Sequence, residues 1–416
     1  MIFTRPLDRA LQQLAGKVSA PVRVVLWDGR EFRLGEEPRV TLRLKHERAA
    51  AALRNPSLLS LAEVYIRGEA DLEGDLRSAI RSAEAIARRG AGAGLFAALG
   101  RARHTRQDDR EAVRHHYDVS NDFYALWLDP RMVYSCAYFR RETEGLEAAQ
   151  LQKLDHICVK LRLAPGERFL DIGCGWGALV IRAAQRYGVD ATGITLSEQQ
   201  YRLANERIRA AGLQERCRVL LVDYRDHAIE AAYDKVASVG MFEHVGLENL
   251  PTYFGAVGRL LRERGLFLNH GITTSDVGNN AVGMGAGEFI DRYVFPRGEL
   301  PHLHTVVRDM SASDFEVHDV ECLRPHYART LELWSERFES RLEEAVAASS
   351  ERTARIWRLY LAGCAHAFEQ RWVSIYQVLA SKQHGPGRAQ LPLTRDWMYL
   401  NTASCNGSAA APRSSP

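Results

Sequence analysis

Five polar side chains fall at the carboxyl ends of successive apolar runs: Asp171, Thr195, Asp223, Glu243 and His270. In a parallel sheet those ends converge on one crevice, and ligands bind there. Asp171 opens the stretch Asp171-Ile172-Gly173-Cys174-Gly175-Trp176-Gly177. Gly173, Gly175 and Gly177 leave the backbone bare, so a small molecule can approach it closely. The carboxylate just before them can face a cationic amino group. No Lys-Ser/Thr pair follows, which excludes a P-loop, and the spacing departs from the dinucleotide G-x-G-x-x-G. The loop reads as one for S-adenosylmethionine (SAM). Thr195 stands where many nucleotide-binding sheets place an acidic residue for the ribose, and its hydroxyl, with Gln200 one turn on, would bond the same oxygens. Asp223 is placed to reach an adenine amino group. Glu243, within Met241-Phe242-Glu243-His244-Val245-Gly246, lies where a transferase meets its acceptor. It reads as a base, an anchor for a bound group or a paired structural carboxylate; His244 is the weaker candidate.

The elements that must position these residues alternate between strand and helix. Strands are predicted at 168–170, 190–195, 217–221, 233–239 and 265–270, with helices at 178–187, 197–211 and 250–262. Serine opens the second of these helices as a cap. Such βα alternation predicts a mostly parallel, doubly wound α/β sheet. An amphipathic helix over 150–161 precedes it, and Thr330 to Lys382 reads as long helix. Residues 1–105 read as a small α+β accessory domain, with strands at 22–26 and 40–44 and an Asp28-Gly29 turn. Helices follow around 46–53 and 58–67, and Gly68 to Leu76 reads as a turn into another helix. A catalytic domain is expected over 106–400, and a disordered Ser/Ala/Pro-rich tail over 401–416.

Composition narrows the class. With 416 residues, 46% apolar and 26% charged, the chain can bury a large core. A net charge of +3 is too small to argue for nucleic acid, and the seven cysteines show no metal-ligand spacing. Arg5, Asp8 and Arg9 interrupt any signal-peptide run, and no stretch approaches the ~18 apolar residues of a spanning helix. A cytoplasmic protein is expected. Residues 1–110 nevertheless hold 20 basic and 14 acidic side chains, a net +6. Within them, Arg88, Arg89, Arg101, Arg103 and Arg106 flank an apolar segment, a pattern that docks on anionic lipid. Peripheral membrane contact is the expectation drawn from it.

Seven blocks in order carry a family resemblance. They are His115-His116-Tyr117-Asp118 through Asn121-Asp122-Phe123-Tyr124, Tyr134-Ser135-Cys136-Ala137-Tyr138, the glycine loop, Thr195-Leu196-Ser197, Gly240 to Gly246, Phe289 to Pro296, and Tyr360-Leu361-Ala362-Gly363-Cys364-Ala365 with Phe368. The chain resembles the bacterial cyclopropane-fatty-acyl-phospholipid synthases and their mycolic-acid cyclopropane synthase relatives. The resemblance implies a SAM-dependent methyltransferase sheet with a helical lipid-binding elaboration. It also implies cofactor contacts at Tyr134, Ser135, Gly173, Gly175, Thr195, Gln200, Asp223 and Tyr224. It implies a bicarbonate pocket of Cys136, Glu243, His270, Ile272 and Tyr327, and it places Cys364 near the site. The implied substrate is an unsaturated phospholipid in the membrane, and the long-form relatives suggest a homodimer. Tyr138, Phe289 and Tyr293 are candidate aromatic faces for a carbocation. A methyl- or methylene-branched product, a small-amine methyltransferase and a SAM-binding protein without turnover are the competing readings. The lack of an extra acidic cluster argues against the amine, and the retained Glu243 and Tyr327 argue against the last.

Overall fold

The computed structural model describes residues 4–18, 20–89, 94–97, 120–227, 229–383 and 391–399. Near the N-terminus, β1 (Val22–Val25), β2 (Glu31–Arg33), β3 (Val40–Leu44) and β4 (Ala70–Gly74) form a sheet in the order β2-β1-β3-β4. The Asp28-Gly29 turn joins β1 to β2, with Gly29 at a φ of 85. Leu11 and Leu14 of the Thr4–Lys17 helix, Val64 of Leu58–Ile66, and Ala79 and Ile86 of Leu76–Ala87 pack on the sheet's apolar side.

β4 corrects the turn expected over Gly68 to Leu76. Ala70 and Leu72 face the core while Asp71 and Glu73 pair across the strand edge with Lys45 and Arg43, at 2.9 and 3.3 Å. Alternating charges and terminal glycines made a strand look like a loop. Gly74 ends it, because a Cβ there would lie 2.2 Å from the Arg39 carbonyl oxygen.

After β5 (Phe96–Ala97), the larger unit contains β6 (Arg168–Ile172), β7 (Asp190–Thr195), β8 (Cys217–Leu221), β9 (Tyr233–Val239), β10 (Leu261–Thr274), β11 (Ala281–Val282), β12 (Phe315–Cys322) and β13 (Val373–Lys382). Seven strands run in the order β12-β13-β10-β9-β6-β7-β8, while β5 and β11 pair separately. β10, β9, β6, β7 and β8 are parallel, so the strand order switches direction between β6 and β9, which is where a crevice opens. β13 lies antiparallel between β10 and β12.

β13 corrects the long helix expected to reach Lys382. Helices do run over Arg324–Ser340, Leu342–Ala348 and Glu351–Glu369. The chain then turns at Arg371, with φ 61, and enters the sheet. Val373 to Ser381 is buried on both faces, so it lacks the period-two alternation that announces a half-buried strand.

The Glu351–Glu369 helix is wedged between the two units. On one side Trp357, Leu361 and Phe368 pack with Phe123, Trp127 and Trp334. On the other, Leu359 and Ala362 join the N-terminal core. Arg355 donates from one guanidinium nitrogen to the carbonyl oxygens of Tyr65 and Ala70 at 2.8 and 3.0 Å. The two units are therefore docked as one body.

Candidate active site

The glycine loop leaves β6 at the switch point. Gly175, at φ 53, is open on the side where a Cβ would point, whereas a Cβ on Gly173 would strike Met241 Cγ at 2.8 Å. Asp171 lines the resulting cleft, and its Oδ1 has no hydrogen-bond partner among the described residues. Burial raises its carboxyl to about 7, against the opposing pull of the Lys153 ammonium. Lys153 is itself buried, which lowers it to about 8, and it donates to Ser135 Oγ at 2.7 Å. Across the cleft, Thr195 Oγ1 donates to Gln200 Oε1 at 2.8 Å, and Ser197 caps the Glu198–Ala210 helix. A buried carboxyl with one oxygen left without a partner among the described residues, beside bare backbone, fits an amino-acid ammonium, so these residues suit SAM.

Asp223 stands between Val222 and Tyr224, which line the cleft. Both of its oxygens accept from Arg225, at 2.9 and 2.7 Å, and Tyr224 and Arg225 line the cleft there. The Arg225 guanidinium lies 5.3 Å from the Tyr224 ring centroid.

A second, larger cavity of about 770 Å³ abuts this cleft. Tyr134, Ser135, Gly240 and His244 line both. Glu243 reaches it from the short 3-10 turn after β9, and its position is set by packing. Phe242 sits so close over Gly271 that a Cβ there would fall 1.7 Å from its ring. Glu243 Oε1 accepts from the Ile272 backbone N–H at 2.7 Å, while Oε2 has no partner among the described residues. Burial raises the Glu243 carboxyl to about 7, with the Ile272 bond opposing. His270, on β10, is held well below its ordinary pKa by burial and by the nearby Lys153 and Lys160 charges. Gln377 of β13 donates to its Nδ1 at 3.2 Å, which places the ring proton on Nε2, an atom with no partner among the described residues. Cys136, Ile272 and Tyr327 line the same cavity as Glu243 and His270.

The Cys136 thiol is pushed up by burial and donates to the Ala137 carbonyl oxygen at 3.2 Å. Cys364 also lines the cavity, and burial raises it to about 12, so it is a thiol and a poor nucleophile at neutral pH. Of the three aromatic candidates, Phe289 faces the cavity. Tyr138 does not, being stacked between His156 and His326 at 4.2 and 4.8 Å. Tyr293 turns its hydroxyl to Glu63 at 3.2 Å and lies under Arg352. Phe295, Tyr360 and Phe368 also line the cavity. Sequence reasoning also missed Lys153 and Gln377. A lysine on the inward face of an amphipathic helix was the available signal for the first; the second sits in the strand mistaken for helix.

Among the described residues no cluster could hold a metal ion, and no helix is long and apolar enough to cross a membrane. Most of the basic segment (90–93, 98–119), with His115 and His116, lies outside the described residues, as does the tail from 400. Arg88, inside them, is paired with Glu84 at 2.6 Å.

Residues 104–378 match the family described as mycolic acid cyclopropane synthetase, and residues 10–89 match a domain of unknown function. A probable fatty acid methyltransferase of Pseudomonas putida is 47% identical over 398 residues, covering 94% of this chain and 99% of that protein. The Escherichia coli K12 cyclopropane-fatty-acyl-phospholipid synthase is 40% identical over 65% of this chain and 67% of its own length. The crystal structure of mycolic acid cyclopropane synthase CmaA1 complexed with SAH and CTAB superposes with a TM-score of 0.62. It is 36% identical and covers 66% of this chain and 98% of that one.

Proposed function

The chain belongs to the mycolic acid cyclopropane synthetase family and is a SAM-dependent methyltransferase, and from that premise we propose that it builds cyclopropane rings on the cis double bonds of phospholipid acyl chains. One observation carries the reading. Glu243 Oε2 and His270 Nε2, both without a partner among the described residues, belong to residues that line a largely apolar cavity abutting the cofactor cleft.

SAM brings a sulfonium methyl, a strong electrophile, whereas an isolated cis alkene is a weak nucleophile. The protein's task is to hold them at near-attack distance away from water. Transfer breaks the sulfur–methyl bond, makes a carbon–carbon bond from the alkene π pair and leaves positive charge on the other alkene carbon. The faces of Phe289, Phe295 and Tyr360 can stabilise that charge. Loss of a proton from the new methyl returns an electron pair that closes the ring, so a base must sit beside it. A bicarbonate ion against Cys136, Glu243, His270, Ile272 and Tyr327 would supply an oxygen base at that point. His270 Nε2–H donates to such an anion. Glu243, with its carboxyl near 7, can hold or release a proton at Oε2 around neutral pH.

The name of the Pseudomonas putida relative supports a second reading, in which the same cation ends as a methyl- or methylene-branched chain. Incubation with SAM and vesicles of cis-monounsaturated phospholipid, followed by NMR of the extracted chains, separates the two. High-field cyclopropane protons are expected; a branched product without them would replace the first reading with the second. We also infer peripheral contact with anionic membrane through the arginines around 101–106. Charge reversal there should weaken binding to anionic vesicles, and unchanged binding would discard that inference.

A further inference from the structure

The large cavity does not end in the methyltransferase domain. Its lining runs from Glu243 and His270 at one end to Val24 of β1 and Leu42 of β3 at the other. It crosses the Glu351–Glu369 helix where Gly363 faces it, flanked by Leu359 one turn earlier and His366 about one turn later. A Cβ on Gly363 would meet nothing within 4 Å, so the passage is open at this glycine. Beyond it the walls are side chains of the N-terminal sheet and of the Leu58–Ile66 and Leu76–Ala87 helices.

We propose that the N-terminal domain, which matches a domain of unknown function, is a receptacle for hydrocarbon: it takes the methyl-terminal end of the acyl chain whose double bond lies at Glu243 and His270. The inference rests on the acyl-chain reading above. Charge selects this occupant. Among the described residues on the N-terminal stretch of the lining, Glu84 is the only carboxylate, and lysine and arginine are absent. Glu84 is already held by His366 at 2.5 Å and by Arg88 at 2.6 Å. A phosphate headgroup would find no cation there, and an ester-linked glycerol would leave polar atoms unpaired in apolar surroundings. A bare alkyl end needs only apolar walls, and each methylene it buries there favours binding. The domain would thereby measure the length of chain beyond the double bond.

Two experiments on the full-length protein test this. In the first, anionic phospholipid vesicles carry a photoreactive diazirine either at the methyl end of the cis-unsaturated chain or at the methyl end of its saturated sister chain. After irradiation, labelled peptides are mapped. Labelling of residues 22–87 by the unsaturated-chain probe is expected. Labelling confined to the methyltransferase domain, or labelling of 22–87 by the sister-chain probe alone, would overturn the proposal. This readout needs no turnover, so it stays separate from the ring-forming reading: rings formed with no N-terminal labelling would sink the receptacle and leave the synthase intact. In the second, Gly363→Phe closes the passage and Gly363→Ala serves as the folding control. Competing chains differ only in the carbons beyond the double bond. Gly363→Phe should shift the product ratio of long over short about tenfold toward short, the effect of leaving about two methylenes without a buried place. An unchanged ratio in Gly363→Phe would count against the passage.

Discussion

The cofactor cleft and the larger cavity touch at Tyr134, Ser135, Gly240 and His244, yet they are built on opposite plans. Most of the cleft comes from strand ends and the first turns after them, so its parts follow one another at regular intervals along residues 171–245. The cavity gathers single side chains from positions as far apart as Val22 and Ile375. A parallel sheet delivers the first arrangement from local sequence alone; only tertiary packing delivers the second. The cleft is also the more polar of the two, with Asp171, Lys153 and the Thr195–Gln200 pair close together. In the cavity, Glu243 and His270 are titratable groups at the ends of parallel-sheet strands and the turns after them.

That contrast can be broken at several points. Glu243→Gln should hit the cavity alone. Turnover is expected to fall about 10²–10⁴-fold, the usual span for removing an acid–base group, while SAH affinity by calorimetry stays unchanged. Loss of cofactor binding would mean that the two sites are not separable. The same variant carries a pH signature. The Glu243 carboxyl stands near 7 in the folded chain against an ordinary 4.5. Below 4.5 it is neutral in both states; as pH rises through 7 the folded protein must bury a charge, and the stability of the neutral form is lost. In thermal melts without ligands, Glu243→Gln should therefore gain on the wild type between about pH 5 and 8, by up to about 3 kcal/mol. A constant gap across that range would refute the buried-charge account.

Asp171→Asn is the mirror experiment. It should weaken SAM binding about 10–100-fold through loss of a charge-assisted hydrogen bond, with photolabelling by lipid unaffected. Gln377→Leu removes the donor to His270 Nδ1 and frees the ring to change tautomer. Turnover should drop about fivefold with SAM affinity intact; a change in affinity instead would place Gln377's influence in the cleft. The smallest effect is expected from Cys364→Ala. With its thiol raised to about 12, it should lose less than about threefold in rate, and a collapse in single-turnover assays would restore it as a nucleophile.

What could be read from residues alone follows the same division. Gly173, Gly175, Asp171, Thr195 and Glu243 were legible because each stands beside a strand whose apolar run is short and bounded. His270 was legible as the end of such a run, although β10 continues through it to Thr274. Gln377 was hidden because a strand buried on both faces has no alternation to distinguish it from a buried helix. Tyr138 and Tyr293 could be named only as candidates because ring type says nothing about direction, and neighbouring histidines and Glu63 engage those two rings. Asp223 was found at its strand end, but its binding to Arg225 depends on a two-residue reach that spacing does not encode. The N-terminal lining was invisible for a plainer reason. Val24 and Leu42 look like any core residues until the space beside them is seen.

The wedged position of the Glu351–Glu369 helix has a consequence for anyone who divides this protein. With Leu359 and Ala362 in one core and Trp357 and Leu361 in the other, the helix has apolar residues on two sides. A fragment that begins after the first domain would present one of those sides to water, together with the backbone-capping Arg355 stripped of the Tyr65 and Ala70 carbonyls. Expressed without the first ninety or so residues, the remainder should be sticky and short-lived in solution. Supplying the missing piece in trans would then act as a solubilising subunit.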